Sequence, residues 1–542
     1  MKGNSLKESV YLAQKNMTKK GYSKMKQKIK QNLIIAAALI LVYSVIQYCL
    51  PITGLAHQDR FINYSYRMMF ACFFVIGYLY NLIAQFFRYK SNKSLTLELL
   101  THHKQKSIFK IIIDLFKITP SKYLITTPGI NKNDVSGVVL GIDQHGLLIE
   151  SPFNEEEHLL CVGGSGSGKT SAILIPTLRT FKGTFFTIDI SGDITKNVSR
   201  PSALMLNPFS IDSLSYNVFY FVDKASDISE KYELISQLAY LIMPEVNPNI
   251  GDGHFFVVNG RKILIASLIH YYEQGKDFNE ICRKILYLDS NDLLNEIWEQ
   301  NNEFTQNNIS SFRGTNEKNT AGCKQAMDTA ITFFATNANM QKILHRPRLQ
   351  EKSIDPSILE NSDVILQIPE VKLSVYSPFL SIIIAQTFEY CSQRSLSEKN
   401  TILFALDEFS RLGRVDILNA LRTLRKRHIR ILLLTQSFAD LDAVYGKENR
   451  MIIADNCGYK VLLKITDPDT QDYVSRLIGE QDVIKQSHNW NSNQNGYTEA
   501  PHKERIIQPA ELAYLDNKLL VHSPKGYRFL KKNYYFKKKS TF

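Results

Sequence analysis

Paired cysteines are missing from this chain of 542 residues: its seven cysteines are scattered, odd in number and never arranged as C-x-x-C. Disulfide frameworks and structural metal sites need clustered or regularly spaced cysteines, so both are excluded and reduced cytosolic thiols are expected. Internal repeats and long low-complexity tracts are also absent, which excludes a repeat array. The chain is globular in composition and too long for one core, so two to four domains are expected.

Acidic residues are scarce at both ends of the chain. Residues 1–32 hold nine lysines and one acid, Glu8, and residues 525–542 hold seven lysines and arginines and no acid. The formal net charge of +13 and the pI near 9.1 predict an anionic partner, either nucleic acid or the inner face of a membrane. Part of this surplus flanks two apolar segments, so the charge alone does not decide between the two partners.

Those two segments contain no charged residue. Residues 33–50 form an uncharged run of 18, and residues 68–87 form a run of 20 between Arg67 and Arg88. Because each is long enough to cross about 30 Å of hydrocarbon, we predict two transmembrane helices. A cleaved signal peptide and a buried soluble hairpin are the alternatives. The flanking lysines and arginines predict that both termini and the bulk of the chain lie on the cytoplasmic side of the inner membrane.

The most informative motif is Gly-Gly-Ser-Gly-Ser-Gly-Lys-Thr at residues 163–170. It fits G-x-x-x-x-G-K-[ST], in which backbone N–H groups surround a triphosphate, the lysine reaches the β and γ oxygens, and the hydroxyl binds Mg²⁺. A strand-like run precedes the motif and a helix-like run follows it. We therefore predict ATP and Mg²⁺ as cofactors, with a flexible Gly/Ser loop as the alternative. The predicted cofactor-binding residues are Gly163, Gly164, Ser165, Gly166, Ser167, Gly168, Lys169, Thr170 and Ser171.

Strand-like and helical segments alternate along the cytosolic part, which predicts an α/β fold with a mostly parallel sheet. Residues 135–150 are typical of a β-hairpin, whereas residues 225–345 have helical spacing and predict an all-α insertion.

The predicted organisation has six parts. They are a basic cytoplasmic N-terminus at 1–32, a two-span anchor at 33–87, a connector and the first part of a nucleotide-binding domain at 88–224, the all-α domain at 225–345, the second part of the nucleotide-binding domain at 346–490, and a C-terminal segment with a basic tail at 491–542.

An apolar run at residues 401–406 ends in two acids, Asp407 and Glu408. In an NTPase the first carboxylate holds Mg²⁺ and the second orients or deprotonates the attacking water. We predict Thr170 and Asp407 as metal-binding residues, and Lys169 and Glu408 as catalytic residues. Gln436 ends another strand-like run and is predicted to sense the γ-phosphate, with a capping or loop amide as the alternative.

A basic helix is predicted at residues 421–428, Leu-Arg-Thr-Leu-Arg-Lys-Arg-His. Its charges either form a solvated face or supply an arginine finger to the nucleotide of a neighbouring subunit, a role suited to a planar group that is always charged.

These segments together resemble the type IV secretion coupling proteins, ring-forming ATPases that link a conjugative relaxosome or an effector to a secretion channel. The resemblance runs from residue 33 to about 485 and is most specific in the acid pair, the Gln-Ser pair and the Tyr-Gly pair that follow one another. Its segments are the two N-terminal spans, Val138 to Gly141, Leu206-Asn207-Pro208-Phe209, Leu406 to Phe409 with Leu412-Gly413, Thr435-Gln436-Ser437 with Leu441 and Tyr445-Gly446, Asp455-Asn456, and Asp467 with Asp469-Thr470.

The resemblance implies a RecA-like P-loop NTPase domain, interrupted by an all-α domain, that assembles as a homo-hexamer around a central channel. By position relative to the Gln-Ser strand, the family's arginine finger falls on Arg425, with Arg427 as the second choice. The family commonly has Asp-x-Lys-Gly-Glu after the phosphate loop, whereas this chain has Asp189-Ile190-Ser191-Gly192-Asp193, with Ser191 in place of the lysine.

The C-terminus lacks the long acidic tail of some members of that family and has Tyr534-Tyr535-Phe536 followed by three lysines. Aromatic and basic residues in this arrangement either hold single-stranded DNA or form a disordered, solubilising tail.

The predicted function is an inner-membrane, ATP-hydrolysing coupling protein that recruits DNA with an attached relaxase, or an effector protein, to the channel components of a type IV secretion system. The expected nucleic-acid partner is DNA, bound in single-stranded form and with little sequence specificity. Two alternatives stay open: a membrane-anchored DNA pump for chromosome segregation, and a docking receptor that binds nucleotide without hydrolysing it.

Overall fold

The computed structural model describes residues 129–245, 252–314, 316–349, 351–398, 400–413, 415–491 and 494–536. They belong to one compact unit, Pro120–Phe542. The predicted basic N-terminus and both predicted membrane spans lie outside the described residues. Within them, one helical stretch, Glu370–Gln393, has the length and apolar composition of a membrane span, but 56% of its apolar window is buried inside the protein.

A mixed sheet of eleven strands forms the centre of the unit. The strands of the chain are β1 (Val138–Ile142), β2 (Leu148–Ser151), β3 (Leu159–Val162), β4 (Thr184–Asp189), β5 (Ala203–Leu206), β6 (Ser215–Tyr216), β7 (Ser353–Ile354), β8 (Asp363–Gln367), β9 (Ile402–Leu406), β10 (Ile429–Thr435), β11 (Tyr459–Leu462), β12 (Glu480–Asn491), β13 (Gln494–Arg505), β14 (Lys518–Ser523) and β15 (Gly526–Lys531). Their order in the central sheet is β2-β1-β15-β14-β11-β3-β10-β9-β4-β8-β5.

Seven neighbouring strands of this sheet, from β11 to β5, run parallel. Every residue of β3, β9 and β10 is buried, because helices cover both faces of the sheet at its centre. Two apolar clusters result, one on each side of these strands. The parallel α/β sheet predicted from the alternating segments is therefore present.

Helices connect the strands and form a separate region between β6 and β7. They are α1 (Ile175–Thr180, preceded by a π-helical turn at Lys169–Leu174), α2 (Asp193–Asn197), α3 (Tyr220–Lys224), α4 (Ile228–Ile242), α5 (Asp252–Glu273), α6 (Phe278–Tyr287), α7 (Ser290–Glu299), α8 (Glu303–Ile309), α9 (Glu317–Thr336), α10 (Ala338–Ile343), α11 (Leu373–Gln393), α12 (Ile417–Thr423), α13 (Phe438–Tyr445), α14 (Lys447–Asn456) and α15 (Pro468–Ile478).

The helices α4 to α10 account for the predicted all-α insertion. Polar residues cap their N-termini, as Asp227 does for α4, Asp289 for α7 and Asn316 for α9, because a side-chain oxygen there satisfies otherwise free N–H groups. The short parallel pair β6–β7 joins the chain where it leaves and re-enters this region. The predicted domain boundaries stay predictions, since helices alone do not fix them.

The C-terminal part of the chain contributes strands that were not predicted from the sequence. β14 and β15 pair antiparallel with each other and extend the parallel sheet beyond β11. β15 also pairs with β1, so the predicted hairpin β1–β2 becomes the outer edge of the same sheet. Residues 532–536, which follow β15, reach the segment that follows β3, where the N–H of Tyr535 donates to the carbonyl oxygen of Ser171. β12 and β13 form a separate two-stranded ribbon.

Candidate nucleotide site

The glycine-rich loop follows β3 and has the backbone that a phosphate site requires. Gly166 and Gly168 have φ of 68° and 101°, in the left-handed region that side chains with a Cβ seldom adopt. A Cβ on Gly163 would lie 2.6 Å from the Ser167 hydroxyl oxygen and 2.8 Å from the Cβ of Leu463. Glycine at these three positions is therefore a steric requirement of the loop.

Lys169 begins the helical segment after the loop, and its side chain folds back over it. Its Nζ donates a hydrogen bond of 2.8 Å to the carbonyl oxygen of Gly163. The same Nζ lies 3.5 Å from Oε1 of Glu408, and only 5% of the lysine side chain is exposed. The ammonium group is thus held inside the loop, next to the second carboxylate of the acid pair.

Thr170 and Asp407 are in direct contact although they are far apart in sequence. The Thr170 hydroxyl donates to Oδ2 of Asp407 at 2.7 Å. Burial raises the pKa of Asp407 to about 6, against the opposing effect of the Thr170 hydrogen bond, and the Glu408 carboxylate raises it further. A cation placed beside this buried carboxylate would therefore stabilise its charged form.

Glu408 links the loop to the neighbouring strand. Its Oε2 accepts a hydrogen bond of 3.1 Å from Nε2 of Gln436. Its φ of 46° lies in the left-handed region, which is uncommon for a residue with a long side chain and is typical of functional sites. Lys169, Glu408 and Gln436 therefore form one connected polar chain.

The parallel order of the sheet explains why these residues meet. Gly163 follows β3, Gln436 follows β10 and Asp407 follows β9, and these three strands are adjacent and parallel. Because the carboxyl ends of parallel strands lie at one edge of a sheet, residues from three distant segments reach the same crevice. Every residue of the predicted loop and acid pair lies there.

The residues present fit a magnesium-bound triphosphate. The Ser167 hydroxyl oxygen is buried inside the loop and has no hydrogen-bond partner among the described residues, as expected where a phosphate would supply one. Within the same residues, no group of three or more His, Cys, Asp or Glu side chains could hold a metal. Thr170 and Asp407 suit Mg²⁺ in particular, since this ion takes one or two protein ligands and completes its shell with phosphates and water.

Arg425 lies away from this crevice. It precedes β10, whereas Gln436 follows that strand, so the two residues are at opposite edges of the sheet. Its guanidinium forms an ion pair with Glu157 of its own chain, and 45% of its side chain is exposed. Arg427, the second choice, donates to the carbonyl oxygen of Arg394. The structure does not bring Arg425 to the nucleotide crevice of its own chain.

The segment in which Ser191 replaces lysine has a local structural role. Asp189 at the end of β4 accepts hydrogen bonds of 2.8 Å from the N–H groups of Gly192 and Thr195. It also accepts one of 2.6 Å from the Thr195 hydroxyl. Asp189 therefore caps α2, and the exposed Ser191 takes no part in the polar chain around Glu408.

Sequence reasoning missed His158, which connects the loop strand to two other elements. Its Nε2 lies 3.1 Å from the carbonyl oxygen of Leu421 in α12, and its Nδ1 accepts a hydrogen bond of 3.2 Å from the N–H of Ile431 in β10. The side chain is fully buried. A single histidine before an apolar run gives no signal by which this bridging role could have been found.

We expect His158 to make the stability of the chain depend on pH. Burial lowers its pKa from 6.5 to about 4. Below pH 6.5 the unfolded chain takes up a proton that the folded chain does not. The free energy of unfolding therefore falls as the pH drops from 6.5 to 4, by about 3 kcal/mol at most.

His158→Gln should lower the thermal midpoint at pH 7, and the difference in midpoint from wild type should narrow toward pH 4.5. His145→Gln, in the exposed β1–β2 turn, is the matched control; a gap independent of pH would contradict the expectation.

Residues 146–526 match the type IV secretion-system coupling protein DNA-binding domain, and this range includes the loop, the acid pair and Gln436. The chain belongs to this coupling protein family. The resemblance inferred from the sequence motifs is thereby confirmed.

Relatives of this coupling protein are distant in sequence. Protein VirD4 of Rhizobium rhizogenes is 22% identical over 396 residues, which cover 69% of this chain and 57% of the relative. The conjugal transfer protein TraG of Agrobacterium fabrum is 22% identical over 376 residues, covering 66% of this chain and 56% of the relative. The chain thus aligns with somewhat more than half the length of these relatives.

Solved structures show the fold of the coupling protein. The bacterial conjugative coupling protein TrwBdeltaN70 superposes with a TM-score of 0.59 at 18% identity, covering 76% of this chain and 92% of that one. Plasmid coupling protein TrwB in complex with ADP and Mg²⁺ superposes with a TM-score of 0.58 at 18% identity, covering 74% of this chain and 91% of that one. The predicted RecA-like domain with a helical domain is confirmed at this level.

Proposed function

We propose that the chain is a membrane-anchored, ATP-hydrolysing coupling protein that delivers DNA with its attached relaxase, or a protein substrate, to a type IV secretion channel. The observation that carries the proposal is the contact between Thr170 and Asp407, with Lys169, Glu408 and Gln436 joined beside it. Such a set is needed for phosphoryl transfer, whereas binding of nucleotide alone has no need of Glu408.

The positions of these side chains support a mechanism of hydrolysis. The loop N–H groups and Lys169 hold the β- and γ-phosphates of ATP and offset the negative charge that develops on them. Glu408 accepts a proton from the attacking water as its oxygen bonds to the γ-phosphorus, and the bond to the bridging oxygen of ADP breaks. Gln436, hydrogen-bonded to Glu408, keeps that carboxylate oriented toward the water.

Thr170 and Asp407 are the residues proposed to hold Mg²⁺, which would supply positive charge to the phosphate oxygens. The relative TrwB has been solved with ADP and Mg²⁺ and with a non-hydrolysable ATP analogue, which supports both ligands for this chain. The Thr170–Asp407 hydrogen bond keeps the hydroxyl and the carboxylate side by side, ready to share one cation.

Assembly as a homo-hexamer is part of the proposal. Arg425 is half exposed and lies at the sheet edge opposite to its own crevice, a position that is compatible with a role at the nucleotide of a neighbouring subunit. An arginine supplied in trans would also make hydrolysis depend on ring formation. The two predicted membrane spans at residues 33–50 and 68–87 would hold that ring at the inner membrane.

DNA is the proposed cargo because the match is to a DNA-binding domain and the chain carries a net charge of +13. The full chain in lipid nanodiscs should hydrolyse ATP in the presence of Mg²⁺, and single-stranded DNA should raise the rate. The apparent affinity for DNA should fall with salt, with a log–log slope of about −0.7 per phosphate contacted, because counterions are released on binding.

Two outcomes of that assay would redirect the proposal. ATP binding without hydrolysis, with or without DNA, would favour a docking receptor. DNA-stimulated hydrolysis in a protein whose deletion spares transfer between cells but impairs chromosome partition would favour a segregation pump.

A further inference from the structure

The described residues after β15, 532–536, contact the phosphate loop and the helix that follows it. A Cβ built on Gly168 would lie 3.0 Å from Cε1 and 3.3 Å from the hydroxyl oxygen of Tyr534. Gly168 immediately precedes Lys169, so the Tyr534 ring borders the part of the loop that would hold phosphates. Neither of the two interpretations of the C-terminal aromatic residues, as a DNA-binding or a disordered tail, placed them at this loop.

Backbone and side-chain contacts fix this segment in place. The N–H of Tyr535 donates to the carbonyl oxygen of Ser171 at 3.2 Å, directly after the Lys169-Thr170 pair. The guanidinium of Arg179, in α1, lies 5.1 Å from the centre of the Tyr535 ring. Tyr535 therefore anchors the segment to the helix that follows the loop, and Tyr534 is held at the loop by its neighbour.

The order of the strands shows which part of a nucleotide would reach Tyr534. Asp407 and Glu408 follow β9 and Gln436 follows β10, which lie on one side of β3. Tyr534 follows β15, which reaches the sheet through β14 and β11 on the other side of β3. A triphosphate with its γ-phosphate at Glu408 must direct its sugar and base to the opposite side, where Tyr534 lies.

We propose that Tyr534 is the base-binding residue of the nucleotide site and stacks on the purine of ATP. This inference rests on the proposed nucleotide site and adds its subsite for the nucleoside. The Tyr534 ring is half-buried and lies 5.3 Å from the exposed ring of Phe536, at an interplanar angle of 35°. The two rings together form an aromatic surface beside the phosphate loop.

Stacking of this kind recognises the π-face of a base and not its hydrogen-bonding edge. The chain should accordingly bind ATP and GTP with similar affinity. It should also bind inorganic tripolyphosphate, which has no base, more weakly than either nucleotide.

The test compares Tyr534→Ala and Tyr534→Phe in the full chain, with Tyr287→Ala as control. Tyr287 lies in α6 and is 86% exposed, so its removal deletes an equal ring far from the loop. Because base–aromatic stacking contributes about 1–3 kcal/mol, Tyr534→Ala should raise the Kd for Mg·ATP and Mg·GTP by about 5- to 150-fold. It should leave the Kd for tripolyphosphate unchanged, and Tyr534→Phe should bind ATP like wild type.

Each other outcome has a separate meaning. An equal loss of affinity for ATP and tripolyphosphate would show that Tyr534 only shapes the loop, and unchanged affinity for all three ligands would show that no base stacks there. Either result overturns the inference while leaving the nucleotide site intact. Failure of the wild-type chain to bind any of the three ligands would instead contradict the proposed function itself.

Discussion

Replacing Glu408 by glutamine is expected to stop ATP turnover while ATP stays bound. A positioned general base contributes about 10²- to 10⁴-fold to a rate, so kcat should fall by that factor. Glutamine has nearly the same shape and can still pair with Gln436, which lies 3.1 Å from the carboxylate in the native chain. The substitution therefore removes the proton acceptor and little else.

Binding of ATP should not weaken in this variant. Glu408 places a negative charge 3.5 Å from Lys169, in the region proposed for the γ-phosphate. Its removal leaves the lysine free to pair with phosphate alone. The Kd for Mg·ATP, measured by equilibrium binding with the full chain, should equal or fall below that of wild type. Glutamine and glutamate have the same branching at Cβ, so the backbone strain at residue 408, where φ is 46°, should be equal in the two chains.

Two further variants make this result specific. Glu303→Gln changes an exposed carboxylate in the first turn of α8, within the all-α region, and it should hydrolyse ATP normally. Lys169→Ala should abolish DNA-stimulated hydrolysis and weaken ATP binding as well, without affecting membrane insertion. If Glu408→Gln retained full turnover, or if Lys169→Ala did, the hydrolytic mechanism would be wrong.

More of the candidate site than of the fold could be predicted from the sequence, because the chemistry of the site restricts which residues can stand at each position. A loop that surrounds phosphates needs glycines at set positions, and Gly166 and Gly168 do adopt the left-handed backbone that this implies. The apolar run that ends in polar residues at 401–406 was also predicted correctly as a strand, because it forms β9, Ile402–Leu406. Residues that follow the neighbouring parallel strands β3, β10 and β9 can then meet at one edge of the sheet, as Thr170 and Asp407 do.

What could not be predicted depends on contacts between distant segments. β14 and β15 are short strands whose place beside β11 is fixed by pairing across the sheet, which local patterns do not contain. The position of Tyr534 follows from that pairing, because Tyr534 follows β15 and lies beside the loop at Gly168. The burial of His158 between α12 and β10 is likewise a tertiary contact, and a lone histidine has no periodicity to reveal it.

Replacing Arg425 by alanine should lower kcat by about 10³- to 10⁵-fold if this arginine acts on the nucleotide of the next subunit, as arginine fingers do. ATP binding in each subunit should persist, because Arg425 lies at the edge of the sheet opposite to its own crevice. The matched control is Glu157→Gln, which removes the carboxylate that Arg425 pairs with in its own chain. An exposed ion pair contributes only about 0–1 kcal/mol to stability, so this variant should fold and hydrolyse ATP.

Mixing two inactive variants separates action in trans from action within one chain. A subunit with Arg425→Ala keeps an intact phosphate loop, and a subunit with Lys169→Ala keeps its arginine. In a mixed ring, an Arg425→Ala subunit placed next to a Lys169→Ala subunit regains a complete site, so part of the turnover should return on mixing. Equal loss of activity in Arg425→Ala and Glu157→Gln, with no recovery in the mixture, would mean that Arg425 serves only the ion pair with Glu157 and that the finger lies elsewhere.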